Sequence, residues 1–364
     1  MLFKIFKKNQ EENHSNAKIL TLRVRETVQE TPDTVSIYFE QPEPFLDYLP
    51  GQFLSVILVI NGKEERRSYS LCTSPFMDPF PGITVKRLKG GLVSNHINDY
   101  FRPGKKVSIM KPMGNFVTDF HSKNKRNYGM IAGGSGITPI LSNLKSVLIN
   151  EPLSKVNLLY CSRTEEMTIF SDILAGLEEK YPGRLSVTHN LTQPGSDWKG
   201  LTGRLDKPKI AAYYKERFSD PSFESMFFVC GPVGLMDTAE DTLASFGVPK
   251  EIILIEQFFK ELPLDEGNED APEIIRPVTI ILEGQEFTFD VPPGKTILEA
   301  GLDEDLDMPY SCQSGLCTAC RGKLLSGKVK MLEEAGLTDE EINEGYILCC
   351  SSKPEGSDIK IQIE

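Results

Sequence analysis

Cys312, Cys317 and Cys320 fall within nine residues, in the run PYSCQSGLCTACRG over 309–322, and a further pair, Cys349-Cys350, follows. Thiols this close in sequence require a loop that folds round a common centre. Disulfides, a zinc ion and an iron–sulfur cluster would each supply one. The chain shows no export signal with a cleavage site, so it is expected in the reducing cytoplasm, where disulfides are rare. Structural zinc sites usually draw on two short C-x2-C pairs. Here the spacing is C-x4-C-x2-C with a distant fourth cysteine, which is a spacing that holds a [2Fe–2S] cluster. The neighbours Ser311, Ser314, Gly315, Thr318 and Ala319 are small, as a loop needs if its backbone N–H groups are to approach the sulfurs.

The rest of the 364-residue chain exceeds one typical domain, and its charge is divided. Residues 1–260 carry 32 Lys+Arg against 29 Asp+Glu, a net of +3, whereas 274–364 carry 17 acids against 8 bases, a net of −9. The overall net charge of −12 argues against a nucleic-acid partner. The near-neutral body and the acidic tail should attract weakly. No apolar run is as long as a membrane span. The start, MLFKIFKK, is amphipathic enough for contact with a membrane surface, but a frayed, solvated terminus is the expectation.

From 18 to about 120 the pattern is short alternating runs broken by turn residues: KILTLRVRETV, TVSIYFEQP, GQFLSVILVING, RRSYSLCTSP, GITVKRL and KVSIMKPMG. Each reads as a strand, Asn61-Gly62 reads as a hairpin turn, and GLVSNHINDYF at 91–101 reads as a short helix. This implies a closed antiparallel β-barrel over 16–124. From 125 to 260 strand and helix alternate, as in an α/β unit with a parallel sheet. Residues 261–273, with six acids and no base, read as an acidic linker. Residues 274–364 form a compact third unit with a hairpin at PVTIILEGQEFTFDVPPG, a helix at TILEAGLDED and then the cysteines.

With these motifs in view, MPYSCQSGLCTACRGKLLSGKV and LTDEEINEGYILCCSSKP resemble a plant-type ferredoxin domain, an α+β β-grasp fold. The resemblance implies Cys312, Cys317, Cys320 and Cys350 as ligands of the [2Fe–2S] cluster, because Gly345 and Pro354 fit the family's spacing only if Cys350 is the fourth. Cys349 should then point away from the cluster, by alternation along a strand.

RRSYSLCTS at 66–74 is similar to the R-x-Y-S motif of the ferredoxin–NADP reductase superfamily, with Arg67, Tyr69 and Ser70 in place. An aromatic face can stack on isoalloxazine, a hydroxyl can bond the flavin N5 edge, and a guanidinium can pair with phosphate. In VKRLKGGLVSNHI, the turn Gly90-Gly91 feeds a helix start through Leu92 and Val93 to Ser94. Such a turn directs N–H groups at an anion. The resemblance assigns it to the pyrophosphate of FAD, with Val85, Lys86 and Arg87 along the cofactor. AGGSGITPI supplies Gly133, Gly134, Gly136 and Thr138 beside the nicotinamide dinucleotide; Cys230, Gly231 and Pro232 match its second motif. IEQFF matches the family's Glu-x-aromatic, which makes Phe258 the cover of the flavin face. Arg163 in YCSRTEE sits where NADPH users place a cation against the 2′-phosphate, although Glu165 and Glu166 stand close by. NADPH is therefore expected over NADH.

Taken together the motifs resemble the hybrid oxygenase reductases of the phenylacetyl-CoA epoxidase type. That resemblance implies hydride transfer from NAD(P)H to FAD, with catalytic roles for Tyr69, Ser70, Cys230 and Phe258. Single electrons would then pass through the cluster to a terminal oxygenase or another one-electron acceptor protein. A membrane desaturase or hydroxylase as the partner, and a flavin/iron–sulfur redox sensor, are the alternatives.

Overall fold

The computed structural model describes residues 19–258, 274–333 and 336–363. The amphipathic start and the acidic linker expected from the sequence lie outside the described residues.

Six strands form the first unit: β1 (Ile19–Thr31), β2 (Thr34–Phe39), β3 (Phe53–Ile60), β4 (Lys63–Ser70), β5 (Gly82–Lys86) and β6 (Lys106–Met110). They run in the order β4-β3-β6-β1-β2-β5, and each pairing is antiparallel. A bridge between Leu71 and Ile83 joins the two ends of that order and closes the barrel. Asn61 (φ 53°) and Gly62 (φ 79°) make the turn between β3 and β4. Positive φ at both centres gives a turn whose twist matches the strands. The core is Leu22, Val24, Ile37, Phe39, Leu54, Val56 and Ile109, and helix α1 (Leu92–Tyr100) caps it with Val93 and Ile97.

The second unit is a parallel sheet in the order β10-β9-β8-β7-β11-β12, with β9 (Leu185–Leu191) and the short β10 (Leu201–Thr202) at one edge. Its central strands are β7 (Arg126–Gly133), β8 (Lys155–Ser162) and β11 (Glu224–Cys230), with β12 (Ile253–Glu256) at the edge. The chain passes from β7 to β8 on one side and reaches β11 on the other. This makes the carboxyl ends of β7 and β11 the topological switch point, where open α/β sheets bind ligands. Helix α2 (Ile137–Asn150) is buried along most of its length because it also packs against the barrel. There Ser142 donates to the Thr73 carbonyl (2.6 Å), Ser146 shares a hydrogen bond with Ser74 (2.8 Å), and buried Lys145 contacts both oxygens of Asp78 at 3.0 Å. A buried ion pair with this many polar neighbours fixes orientation more than it adds stability.

The third unit is a five-stranded mixed sheet, β14-β13-β19-β15-β17, in which β15 is Arg321–Ser326, β17 is Tyr346–Leu348 and β19 is Ile359–Ile363, with a small two-stranded sheet beside it. The expected hairpin is β13 (Arg276–Leu282) and β14 (Gln285–Val291), turned at Glu283-Gly284. The expected helix is Ile297–Asp303, started by a reciprocal capping pair between Thr296 and Glu299.

Candidate electron-transfer centre

The three units meet at one cavity of about 270 Å³. Its lining includes Ser68 and Ser70 of the barrel, Glu256 and Phe258 at the end of the second unit, and Cys312 and Cys317 of the third. Motifs more than 240 residues apart in the chain, Ser70 and Cys312, thus face the same space.

Ser70 ends β4 and is buried, and its hydroxyl donates to Oε1 of Glu256 at 3.1 Å. Oε2 of Glu256 is buried without a partner. Burial pushes this carboxyl from the ordinary 4.5 up to about 8, the Ser70 hydrogen bond opposing. Glu256 is therefore largely a neutral acid at pH 7. Cys230, buried at the end of β11, is driven well up by burial first and by the Glu256 charge second, so it remains a thiol. In the sequence Glu256 stands out only as the acid of the Glu-x-aromatic motif; the one local sign of a further role is that it is the single acid in the apolar run ILIEQFF.

Tyr69 packs its ring against the barrel core, and burial raises its phenol. Arg67 is tied to Glu65 at 3.2 Å with its side chain half exposed. The VKR strand is less available than the sequence suggested. The Val85 side chain lies in the barrel core, Lys86 contacts Asp33 at 3.6 Å, and Arg87 binds Asp99 at 2.6 Å. Val93 likewise faces the core, while Leu92 is exposed. At the turn, Gly90 has φ 76° and open space where a side chain would stand. Helix α1 begins at Gly91 with no side-chain cap and no acid in its first turn. The N–H groups of that first turn are thus unclaimed by any capping side chain, which suits a phosphate. Ser94 is not wholly free for it, since its hydroxyl accepts from the Leu88 N–H at 3.2 Å.

Gly133, Gly134 and Gly136 turn the chain from β7 into α2, and Cys230-Gly231-Pro232 turns it from β11 into the next helix. The two turns touch backbone to backbone. A Cβ on Gly136 would stand 2.2 Å from the Cys230 carbonyl oxygen, so only glycine fits. Thr138 is buried and donates to the Ser135 carbonyl at 2.9 Å. Arg163 is exposed just past β8, on the same end of the sheet, and Glu165 accepts from the Gly195 N–H at 3.4 Å.

In the third unit Cys312 lies within hydrogen-bond reach of Cys317 and Cys350, and Cys350 within reach of Cys312 and Cys320. The N–H groups of Ser314, Gly315 and Cys350 point at Cys312, Cys350 and Cys320 at 3.4, 3.3 and 3.4 Å. Hydrogen bonds from Cys317 and Cys350 hold Cys312 far below the ordinary thiol range, while its anionic neighbour pushes Cys317 and Cys350 up. Four thiolates can share this volume only with positive charge among them. Among the described residues no three His, Cys, Asp or Glu side chains gather as the ligands of one ion. A two-iron cluster, which divides four cysteines between its irons, fits the site better. Cys349 is fully buried in the core of the unit, and of the other thiols it feels only Cys320.

The chain matches the oxidoreductase FAD-binding domain over residues 20–118, the oxidoreductase NAD-binding domain over 130–241 and the 2Fe-2S iron-sulfur cluster binding domain over 280–355. It is 32% identical to one of the subunits of 1,2-phenylacetyl-CoA epoxidase from Escherichia coli K12, covering 94% of this chain and 97% of that protein. It is 35% identical to the ferredoxin reductase component of 3-ketosteroid-9-alpha-monooxygenase from Mycobacterium tuberculosis, covering 94% and 95%. The structure of phthalate dioxygenase reductase superposes with a TM-score of 0.57 at 26% identity, covering 96% of this chain and 98% of that one.

Proposed function

This chain belongs to the family of FAD-, NAD- and [2Fe–2S]-binding reductase components of oxygenases, and we propose that it delivers single electrons to a terminal oxygenase from the face of its third unit. The observation that carries the reading is the shared cavity, in which Ser70, Glu256 and Phe258 stand opposite Cys312 and Cys317. Bound FAD would supply the conversion of a nicotinamide hydride into single electrons, and a cluster held by the cysteines would supply one-electron transfer.

The residues then have distinct tasks. Tyr69 and the turn at Gly90-Gly91 hold FAD, with Arg67 as the cation for its phosphates. The turns at Gly133–Gly136 and Cys230–Pro232 seat the nicotinamide dinucleotide at the switch point. Below about pH 8 Glu256 would hold a proton on its carboxyl; Ser70 Oγ, which donates to Oε1 here, would turn to accept that proton and give its own to the flavin bound in the cavity. Cys230, as a neutral thiol, supplies bulk and low polarity rather than a nucleophile. Cys312, Cys317, Cys320 and Cys350 hold the cluster. NADPH is the coenzyme this reading favours, because the exposed guanidinium of Arg163 suits a 2′-phosphate, while Glu165 is engaged with the Gly195 N–H. The units are divided near residues 124 and 260, with an acidic tether to the third. Among the described residues no helix is long and apolar enough to cross a membrane.

The test is a single-turnover experiment on the holoprotein. One FAD, two irons and two labile sulfides per chain are expected. Stopped-flow mixing with NADPH should bleach the flavin first and the cluster second, before cytochrome c is reduced. Zinc in place of iron, or a cluster that stays oxidised, would overturn the assignment.

Phe258 is 46% exposed at the mouth of the cavity, where an aromatic ring can cover a flavin face until nicotinamide displaces it. Phe258→Ser should keep FAD bound and change the KM ratio for NADH over NADPH at least severalfold. Unchanged kinetics with both coenzymes would place the covering ring elsewhere.

A further inference from the structure

The side of the cluster loop that faces out of the third unit does not face solvent. Of the four cysteine ligands, Cys317, Cys320 and Cys350 are 4%, 2% and 3% exposed, and only Cys312 is more open. Cys312 opens onto the cavity that holds Ser70 and Phe258, as do Leu316 and Thr318 of the same loop. Cys317 and Ala319 pack against Phe53, Ile57 and Met110 of the barrel. The rest of the contact is polar. Ser311 shares hydrogen bonds with Ser55 (2.5 Å) and Ser68 (2.6 Å), and Arg66 lies 4.2 Å over the Tyr310 ring while donating to the Tyr310 carbonyl at 3.3 Å.

This contact is suited to opening. Its apolar part is a few side chains, and its hydroxyls and guanidinium can exchange each other for water with little loss. Electrons tunnel over short gaps, so a partner protein must come close to the cluster, and the approach through Cys312 is occupied by the barrel. Within loop 310–320 only Gln313 is exposed, which leaves it as the rival exit.

We propose that the Tyr310–Ala319 face is the single doorway of the cluster, used for electrons arriving from the flavin and again for electrons leaving to the oxygenase, so that the third unit leaves the barrel between the two steps. The partner's docking face is basic. Exposed Asp303, Glu304, Asp305 and Asp307 lead directly into the doorway, the unit as a whole carries a net of −9, and Arg66 already supplies the cation that Tyr310 meets when docked. This deepens the oxygenase-reductase reading and rests on it.

The experiment locks and loosens the contact in the holoprotein. In Ser55→Cys/Ser311→Cys the two thiols replace hydroxyls 2.5 Å apart, and the disulfide is verified by mass. NADPH should reduce its flavin and cluster at the rates the same variant shows before the disulfide is formed, and ferricyanide should likewise be reduced at an unchanged rate. Reduction of cytochrome c, a basic protein acceptor, should fall at least tenfold compared with the same variant before the disulfide is formed. In Ser55→Ala/Arg66→Ala the signs reverse: flavin-to-cluster transfer slows severalfold, while a dithionite-reduced cluster reduces cytochrome c as fast as wild type or faster. An oxidised, locked form that keeps its cytochrome c rate would overturn the proposal and place the exit beside Gln313. A loosened variant with unchanged internal transfer would overturn it independently, even if the disulfide did not form. A wild-type cluster that NADPH never reduces would instead refute the parent reading.

Discussion

Cys350→Ser is expected to strip the protein of its iron and labile sulfide and to abolish cytochrome c reduction, while FAD stays bound and ferricyanide is still reduced. Loss of a mere outer partner of a metal ligand costs about 10–100-fold in metal affinity, so loss of a ligand should exceed that. The geometry ties the result to one sulfur. Cys350 accepts the Gly315 N–H at 3.3 Å and stands within reach of Cys312 and Cys320. Gly315 can make that approach because it sits at φ 74° with its Cα against Glu333, where a Cβ would come within 2.7 Å of that side chain. Cys349→Ser should keep the visible spectrum and the electron-transfer rates. Its effect is on stability, because a hydroxyl replaces a thiol in a fully buried site; about 1–3 kcal/mol is expected, read as a lowered urea midpoint. The opposite pattern, with the cluster surviving in Cys350→Ser and lost in Cys349→Ser, would reassign the fourth ligand.

Glu256→Gln should slow flavin reduction by roughly a hundredfold at pH 7, the lower end of what a positioned acid contributes. The variant keeps the shape of the site and the hydrogen bond from Ser70 but has no carboxyl proton to give. In the wild type, activity should fall along an alkaline limb near pH 8, as the carboxyl ionises, and in the variant that limb should be gone. Stability carries the same signature. The folded-state value lies above the ordinary 4.5, so the stabilisation this group provides is complete below 4.5 and is lost as pH rises through about 8. Thermal melts of holoprotein between pH 5 and 9 should show the variant gaining on the wild type as pH rises. A Glu256→Gln enzyme with a wild-type rate and an intact limb at pH 8 would remove Glu256 from the mechanism.

The features legible in the sequence share a physical property: each is local. Positive φ at Asn61-Gly62 is a preference of those two residues, so the β3–β4 turn could be read directly. Thr296 and Glu299 satisfy each other's backbone within one turn, so the helix start at 297 followed from four residues. The change from alternating strands to strand–helix units marked where barrel gave way to parallel sheet, and three thiols in nine residues announced a cluster loop.

What lay beyond sequence reasoning was set by which face each residue presents. Val85 stands in a motif, yet strand alternation inside a closed barrel turns its side chain into the core, and Val93 follows because α1 lies over the barrel with that side inward. Glu256 is an ordinary acid by composition. It becomes a proton-holding group only because β12 ends against β4 and removes its carboxyl from water, 186 residues from the serine that binds it.

The chain's order of residues by itself determined the three folding units, the glycine turns and the ligand loop, since these depend on hydrophobic period, backbone preference and short-range spacing. Only the tertiary structure decided that the loop rests on the barrel through Ser311, Ser55 and Ser68, that Cys312 opens toward Ser70 and Phe258, and that a carboxyl among them stays protonated at neutral pH. Hydroxyl pairs 256 residues apart leave no periodic trace in a sequence, and desolvation belongs to a packed volume and not to any residue within it.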